Sequence, residues 1–275
     1  MATLKVIELF AGIGAQATAL DRIGADWESV GIVEIDPYCV TAYNAIHGTN
    51  YKPQDITQVE SLPPCDMLTY SFPCTDISTA GKQKGLAKGS GTHSSLLYEV
   101  ERLLEDYEQR GLLPKYLVME NVKNLVGKKF KAYFDNWVAY LKDKGYTTYW
   151  QVLNAADYGI PQHRERVIAI SILSTDGGGL QEIYEFPKPI PLKKTLRDML
   201  ETEVDDKYYV KDAALISRLT SSYNHRKSSI MRGGDLSNLN SQGAQGADVC
   251  RTIRCGGRRS GDRHSWDLIL EDKKT

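Results

Sequence analysis

The stretch LKVIELFAGIGAQA, residues 4–17, carries the pattern on which the predicted fold depends. Its first seven residues are largely apolar, with two charged side chains, as expected for a strand in a sheet covered on both faces. Gly12 and Gly14 follow at once, and the residues up to about Arg22 favour a helix. Glycines in such a strand-to-helix turn let the backbone approach a ligand and leave helix N-terminal amides free to meet it.

A second predicted strand, residues 29–33, ends at Glu34. Glu34 lies about twenty residues after the glycine turn, where an acid at a strand end can bind the two hydroxyls of a ribose. These features indicate an adenosine-type ligand. The pattern Gly12-x-Gly14-x-x-Ala17 with a later acid also fits a nicotinamide dinucleotide, so this region alone leaves the choice of ligand open.

Two further signals follow along the chain. Asp36 as N-cap and Pro37 at the first helical position predict a helix through His47. Asp55 follows Pro53 at the predicted end of a third strand. Its carboxylate there could accept a hydrogen bond from the amino group of an adenine.

Residues 66–72, DMLTYSF, predict a short interior strand that stops at Pro73 and Cys74. The sequence then becomes polar and rich in glycine and lysine, which predicts a loop. A strand that ends in a thiol at the carboxyl edge of a sheet is one way in which a fold presents a nucleophile. A buried structural cysteine is the alternative that this stretch leaves open.

Residues 115–119 predict another interior strand, which ends at Glu120 on the same sheet edge as Cys74. A carboxylate at the tip of a buried strand is costly unless it is paired or used. Farther along, residues 149–153 and 166–172 predict a strand pair. Just before the second strand, a period of two places Gln162, Arg164 and Arg166 on one side, a row that suits a phosphate or carboxylate, or a solvated strand edge.

Composition narrows the class of protein. The 275 residues are 41% hydrophobic and 25% charged, ordinary values for a soluble globular chain. No stretch reaches the roughly 18 apolar residues of a membrane span, and no cationic leader precedes the first apolar run. The five cysteines form no CxxC pair and do not cluster with the histidines. We therefore expect a cytoplasmic protein with neither a membrane nor a metal partner.

The distribution of charge and the positions of glycine and proline suggest two domains. Residues 207–263 hold eleven Lys and Arg against four acids, whereas residues 1–175 hold 17 basic and 20 acidic residues. A basic C-terminal part suggests a polyanionic partner, with a solvated loop region as the alternative. The glycines at 177–179 and the prolines at 187, 189 and 191 predict a boundary between a first domain, 1–175, and a second, 176–275.

Taken in order, these segments resemble the DNA (cytosine-5) methyltransferase family. The matching stretches are FAGIG at 10–14, EID at 34–36, DITQV at 55–59, FPC at 72–74 with GKQKG at 81–85, ENV at 120–122 and QHRER at 162–166. The resemblance is dense from residue 1 to about 172. A dehydrogenase that binds a nicotinamide dinucleotide would leave Cys74, Glu120 and the arginine row without a role. The resemblance therefore disfavours a nicotinamide dinucleotide as the ligand of the glycine turn.

The resemblance implies an α/β, Rossmann-like S-adenosylmethionine-dependent methyltransferase fold with a mostly parallel, doubly wound sheet. Residues 1–175 would form its catalytic domain and residues 176–275 a smaller, irregular target-recognition domain. Cys74 would attack C6 of a flipped-out cytosine in double-stranded DNA, Glu120 would stabilise the ring, and Arg164 and Arg166 would hold the base or its phosphate. The residues implied to bind the S-adenosylmethionine cofactor are Phe10, Gly12, Gly14, Glu34, Ile35, Asp55, Ile56 and Pro73.

Members of the family continue with a Gly-Asn motif after the variable region, and no Gly-Asn dipeptide occurs in this sequence. We therefore expect a C-terminally truncated chain, or one subunit of a split enzyme with a complementing C-terminal polypeptide. The alternatives are an RNA (tRNA) cytosine-5 methyltransferase and a chain that binds DNA without activity. The resemblance further implies a bacterial or phage-encoded enzyme of restriction-modification type, associated with the nucleoid.

Overall fold

The computed structural model describes residues 3–77, 86, 90–174, 183–199, 201–203, 205 and 250–251. The strands are β1 Leu4–Leu9, β2 Trp27–Val33, β3 Met67–Tyr70, β4 Tyr116–Val122, β5 Tyr146–Asn154, β6 Gln162–His163, β7 Glu165–Leu173 and β8 Cys250–Arg251. The α-helices are α1 Ala15–Arg22, α2 Pro37–His47, α3 Leu97–Gln109 and α4 Lys131–Asp143. Short 3-10 helices span Ile56–Gln58, His93–Leu96, Lys123–Val126, Ala155–Asp157 and Arg197–Met199.

The chain divides into two compact units. One comprises Met1–Val152 and Arg166–Phe186, and the other comprises Leu153–Glu165 and Pro187–Thr275. The predicted domain boundary between residues 175 and 176 lies outside the described residues, so it stays a prediction. The second unit contains the short parallel pairing of β6 with β8.

Six strands form the main sheet, in the order β2-β1-β3-β4-β7-β5. β1 runs parallel to β2 and to β3, and β3 runs parallel to β4. β7 joins β4 in the antiparallel direction, so that Val122 near the end of β4 pairs with Arg166 near the start of β7. The predicted pair of strands near residues 149–153 and 166–172 corresponds to β5 and β7, which are neighbours in this sheet.

Successive side chains of β1 point to opposite faces of the sheet, and helices cover both faces. Ile7 and Leu9 belong to the main core, which includes the apolar stripe of α3 and the buried face of α4. Glu8, between them, bonds instead to α1 and α2, whose apolar residues form a second, smaller core with Ile32 of β2. The predicted α/β fold with a mostly parallel, doubly wound sheet is therefore confirmed.

The local signals for α2 are confirmed, and those for the third strand are wrong. Asp36 Oδ1 accepts the backbone N–H of Tyr38 at 2.8 Å, with Pro37 at the first helical position. Residues 48–54, directly before Asp55, form no strand. The Asp55 carboxylate accepts the Thr57 N–H at 2.9 Å and caps the 3-10 helix that follows.

A buried hydrogen bond joins β3 to α4 and generates a stability prediction. Trp137 Nε1 donates to Tyr70 Oη at 2.9 Å, and both side chains are buried. Tyr70→Phe leaves the indole N–H without its acceptor, so we expect the free energy of unfolding in urea to fall by about 1–3 kcal/mol. The matched control is Tyr38→Phe, because Tyr38 is 85% exposed. A loss at Tyr70 no larger than at Tyr38 would contradict the prediction.

Candidate active site

Four strand ends lie at one edge of the main sheet. Because β1, β2, β3 and β4 are parallel, their carboxyl ends meet there. Phe10 and Glu34 directly follow β1 and β2, Cys74 lies four residues after β3, and Glu120 lies in β4 two residues before its end. The strand order reverses direction between β1 and β3, and in open α/β sheets a ligand binds at such a reversal.

The glycine turn after β1 is tied directly to the end of β2. The Gly12 N–H donates to Glu34 Oε2 at 2.9 Å, and Glu34 Oε1 accepts the Asp36 N–H at 2.9 Å. Phe10, Gly12 and Gly14 all have positive φ, of 56°, 55° and 82°. Phe10 is the one non-glycine residue among the described positions to do so, a strained conformation that often marks a functional site.

The space beside this turn suits an adenosine. A Cβ built on Gly12 would have no atom within 4 Å, so the turn faces open space. Ile35, next to Glu34, is 63% exposed and offers an apolar surface to a base, while the Glu34 carboxylate can still accept hydrogen bonds from ribose hydroxyls. These residues fit the adenosyl part of S-adenosylmethionine.

Asp55 is held near the end of β2, because the Gln54 N–H donates to the Glu34 carbonyl at 2.8 Å. Ile56 differs from the other predicted cofactor residues, since its side chain is only 4% exposed and packs in the main core. Asp55 Oδ1 is engaged with Thr57. Asp55 therefore presents the more accessible side chain of this pair.

The backbone around Cys74 is held in place by side chains from neighbouring elements. Asn121 Nδ2 of β4 donates to the Phe72 carbonyl at 3.0 Å, and Ser94 Oγ donates to the Pro73 carbonyl at 2.8 Å. The Ile77 N–H donates to the Cys74 carbonyl at 3.1 Å, which closes a tight turn. Cys74 is partly buried and forms no disulfide. The thiol therefore lies on a turn whose flanking carbonyls are all bonded.

Ser94 and Asp76 form a reciprocal pair that sequence reasoning missed. The Asp76 N–H donates to Ser94 Oγ, and the Ser94 N–H donates to Asp76 Oδ2, both at 3.3 Å. Both residues are buried. Eighteen positions separate them, so the pattern around Cys74 gives no signal of the pairing.

Glu120 and Arg166 form an ion pair at the sheet edge. Arg166 Nε lies 2.8 Å from Glu120 Oε1, and both side chains keep part of their surface exposed. The antiparallel pairing of β4 with β7 makes this contact possible, because it places the start of one strand beside the end of the other. The guanidinium fixes the direction of the carboxylate while leaving its other oxygen available.

Arg164 does not continue a single row with Arg166. β6 ends at His163 and β7 begins at Glu165, so the predicted alternation is interrupted at residue 164. The Arg164 N–H donates to Asn154 Oδ1 at 3.0 Å, and its carbonyl accepts the Ala155 N–H at 3.1 Å. These bonds take the place of sheet hydrogen bonds. Arg164 belongs to the second unit and Arg166 to the first.

Within the described residues, no group of three or more His, Cys, Asp or Glu side chains is placed to hold a metal ion. Over the same part of the chain, no helix has the length and apolar character needed to cross a membrane.

Comparison with known proteins identifies the family. The model of the C-5 cytosine-specific DNA methylase family matches residues 4–262. The type II methyltransferase M2.ScrFI of Lactococcus lactis subsp. cremoris is 38% identical over 76% of this chain, and M.NlaX of Neisseria lactamica is 36% identical over 81%. The chain covers 71% and 66% of those two proteins, about two thirds of their length. The chain belongs to the C-5 cytosine-specific DNA methylase family.

Solved structures support the same fold. The S. pombe Dnmt2 methyltransferase superposes with a TM-score of 0.59 at 21% identity, covering 79% of this chain and 66% of that one. The Entamoeba histolytica methyltransferase EhMeth gives a TM-score of 0.56 at 18% identity, covering 80% of this chain and 67% of that one. S-adenosylmethionine is the methyl donor of this family, and the residues around the glycine turn fit it.

The tether at Ser94 generates a prediction about the Cys74 turn. Ser94→Ala removes both the donor to the Pro73 carbonyl and the acceptor for the Asp76 N–H. We expect kcat for methylation to fall roughly tenfold, because displacing Cys74, the nucleophile that the family resemblance implies, would lower the rate of the chemical step. The dissociation constant for S-adenosylmethionine should change less than about twofold, a difference too small to reflect a lost hydrogen bond.

The matched control is Ser95→Ala in the same 3-10 helix. Ser95 Oγ donates to the Thr92 carbonyl, within its own 3-10 helix region, and not to the Cys74 turn. Steady-state kinetics on both variants test the tether. Equal loss of kcat in both variants would contradict it.

Proposed function

We propose that this chain transfers a methyl group from S-adenosylmethionine to C5 of a cytosine in double-stranded DNA, through a covalent adduct on Cys74. The observation that carries the proposal is the position of Cys74, at the sheet edge that also holds the glycine turn and the Glu120–Arg166 pair. Membership of the family supports the reaction class.

In the proposed first step, the Cys74 thiolate adds to C6 of the cytosine. C5 of the free ring is a poor nucleophile, and the new S–C6 bond pushes the electron pair of the C5–C6 double bond toward C5. Once C5 carries the methyl group, loss of the C5 proton to a base restores the double bond and expels the Cys74 thiolate. The thiol is thereby regenerated, and no oxidant or reductant is needed.

Glu120 would stabilise the ring while Cys74 is attached. Addition at C6 builds charge on the ring nitrogen N3 and its neighbours, and a carboxyl group beside N3 and the amino group can stabilise that charge and select cytosine. Arg166 Nε lies 2.8 Å from Glu120 Oε1, so we assign to Arg166 the role of orienting this carboxyl group. Arg164, in the second unit, is proposed to contact the DNA backbone.

When bound, S-adenosylmethionine supplies an electrophilic methyl group. Glu34 would hold the ribose hydroxyls, and Ile35 would pack against the adenine. Phe10, Gly12, Gly14, Asp55, Ile56 and Pro73 are proposed to complete the pocket, Ile56 through its backbone because its side chain is buried.

The target cytosine would be flipped out of the duplex, because C5 and C6 in a stacked base pair cannot reach a thiol at a sheet edge. The basic residues between 207 and 263 are proposed to bind DNA, which would also account for an association with the nucleoid. These residues, apart from Arg251, lie outside the described part of the chain, as does the loop after Ile77. The relatives named as type II methyltransferases suggest a restriction-modification setting.

Trapping of a covalent adduct tests Cys74 directly. With S-adenosylmethionine present, a duplex with 5-fluorocytosine at the target position should form a complex stable to denaturing gel electrophoresis. After methyl transfer, C5 carries fluorine and the methyl group and has no proton to lose. Cys74→Ala should abolish the complex, because it removes the attacking thiol. S-adenosylmethionine binding should stay within about twofold, because Cys74 is not among the residues proposed to hold the cofactor. The control is Cys39→Ala, which removes a second thiol that is partly exposed and forms no disulfide. An adduct that persists in Cys74→Ala would contradict the proposal.

Substitution of Glu120 tests its role in the chemical step. Glu120→Gln keeps the shape but removes the charge and the ion pair with Arg166. We expect kcat to fall by about 10² or more, the usual cost of losing an electrostatic contact in the transition state. Thermal unfolding checks that the variant is folded. Activity within a few-fold of the wild type would exclude the role.

The nucleic acid substrate and any complementing polypeptide are tested in one assay. Labelled S-adenosylmethionine is incubated with the 275-residue chain and either duplex DNA or transfer RNA. Transfer to DNA alone is expected from the proposal. Transfer to transfer RNA alone would establish the RNA alternative, and DNA binding without transfer would establish an inactive chain. Normal turnover on DNA without a second polypeptide would exclude the requirement for a complementing partner.

A further inference from the structure

Directly behind the glycine turn lies a buried acid that the proposed reaction does not use. Glu8 of β1 is 1% exposed, although it is flanked by apolar residues of the central sheet. Its Oε1 accepts the Ala17 N–H in the first turn of α1 at 3.2 Å, and its Oε2 accepts the Tyr43 hydroxyl of α2 at 2.6 Å. One side chain therefore links the first strand to both helices that follow it.

Burial raises the pKa of Glu8, and the hydrogen bonds from Tyr43 and Ala17 oppose that rise. Burial and the adjacent Glu8 raise the pKa of the Tyr43 hydroxyl, which keeps that hydroxyl protonated as a donor. A buried carboxyl group is costly unless such donors satisfy it. A link that costs this much to bury suggests a role beyond packing.

His47, one helical turn after Tyr43, packs against the other side of the turn. Its Nε2 lies 3.3 Å from the Ile13 carbonyl, and its side chain is 6% exposed. A Cβ built on Gly14 would collide with the His47 ring and would lie 2.7 Å from Tyr43 Cε2. The two aromatic rings are themselves in contact, with centroids 4.5 Å apart.

These contacts enclose one face of the turn. Glu8 holds the start of α1, His47 meets the carbonyl of Ile13, and the Tyr43 and His47 rings fill the space that a side chain at residue 14 would need. On the other face of the turn, Gly12 lies beside open space, and its N–H donates to the Glu34 carboxylate. Helix α2 therefore packs against one face of the turn, while Glu34 forms a hydrogen bond to the turn on its other face.

We propose that Tyr43 and His47, together with Glu8, are positioning residues that hold the glycine turn in the conformation that receives S-adenosylmethionine. The inference rests on the proposed function, since it concerns the same cofactor pocket. None of the three residues needs to touch the cofactor. Their effect on affinity arises because an already ordered turn loses less conformational freedom on binding than a mobile one.

The experiment measures binding of S-adenosylmethionine by calorimetry, without DNA, to the wild type and to Tyr43→Phe, His47→Ala and His47→Gln. Tyr43→Phe removes a single hydroxyl, and glutamine keeps an N–H that can donate to the Ile13 carbonyl. We expect the dissociation constant to rise roughly tenfold for Tyr43→Phe and His47→Ala, a change typical of a lost buried contact. His47→Gln should recover most of that loss.

The matched control is Ile46→Ala, which alters the same turn of α2 at a residue that is 55% exposed and should bind as the wild type does. Thermal unfolding is measured for every variant, and kinetics should show a raised KM for S-adenosylmethionine with kcat nearly unchanged. DNA affinity, measured by gel shift, should also be unchanged, because a positioning role at the cofactor turn leaves the DNA surface intact.

Equal cofactor affinity of Tyr43→Phe, His47→Ala and the wild type would overturn this inference while leaving the proposed function standing. A parallel loss of cofactor and DNA affinity would also overturn it, because it would show general loosening of the fold. A wild-type chain that binds no S-adenosylmethionine would overturn the proposed function and the inference together.

Discussion

The parallel alignment of β1, β3 and β4 is the constraint on which the candidate site depends. Hydrogen bonding in this register brings three chain segments, far apart in sequence, to one sheet edge. The glycine turn and Cys74 follow β1 and β3, and Glu120 lies in β4 close to its carboxyl end. None of the three could be moved alone, because shifting a strand by one residue would turn its buried side chains toward the opposite face. The geometry of the candidate site is thus fixed by the packing of the core.

The sheet positions the candidate site, and side chains from neighbouring elements set its detailed geometry. Asn121 and Ser94 each bond a backbone carbonyl next to Cys74, and Arg166 bonds the Glu120 carboxylate. Each of these bonds joins a loop or a strand tip to an element that is already buried. A loop held in this way can be polar and still keep one conformation, which a reactive thiol needs.

Local signals predicted much of the fold and the candidate edge from sequence. Apolar runs that end in a polar residue located β1, β3 and β4, and the Asp36–Pro37 pair located α2. The failures arose where side-chain hydrogen bonds or ion pairs, and not the apolar pattern, decide the structure. Asp55 bonds forward to Thr57 and forms no strand, and Arg164 bonds to Asn154. The Glu120–Arg166 pair depends on antiparallel pairing across 46 residues of chain, which no local pattern encodes.

The backbone of Phe10 has a wider consequence. A bulky residue at φ 56° stores conformational energy that glycine would not, of order 1–2 kcal/mol. Replacement by glycine would therefore relieve this strain, yet it would remove the side chain of a residue proposed to bind the cofactor, one that also packs against the main core. Selection for a robust fold and selection for ligand binding act in opposite directions at this position. In a lineage that no longer needed the ligand, replacement of Phe10 by glycine should be among the first sequence changes to appear.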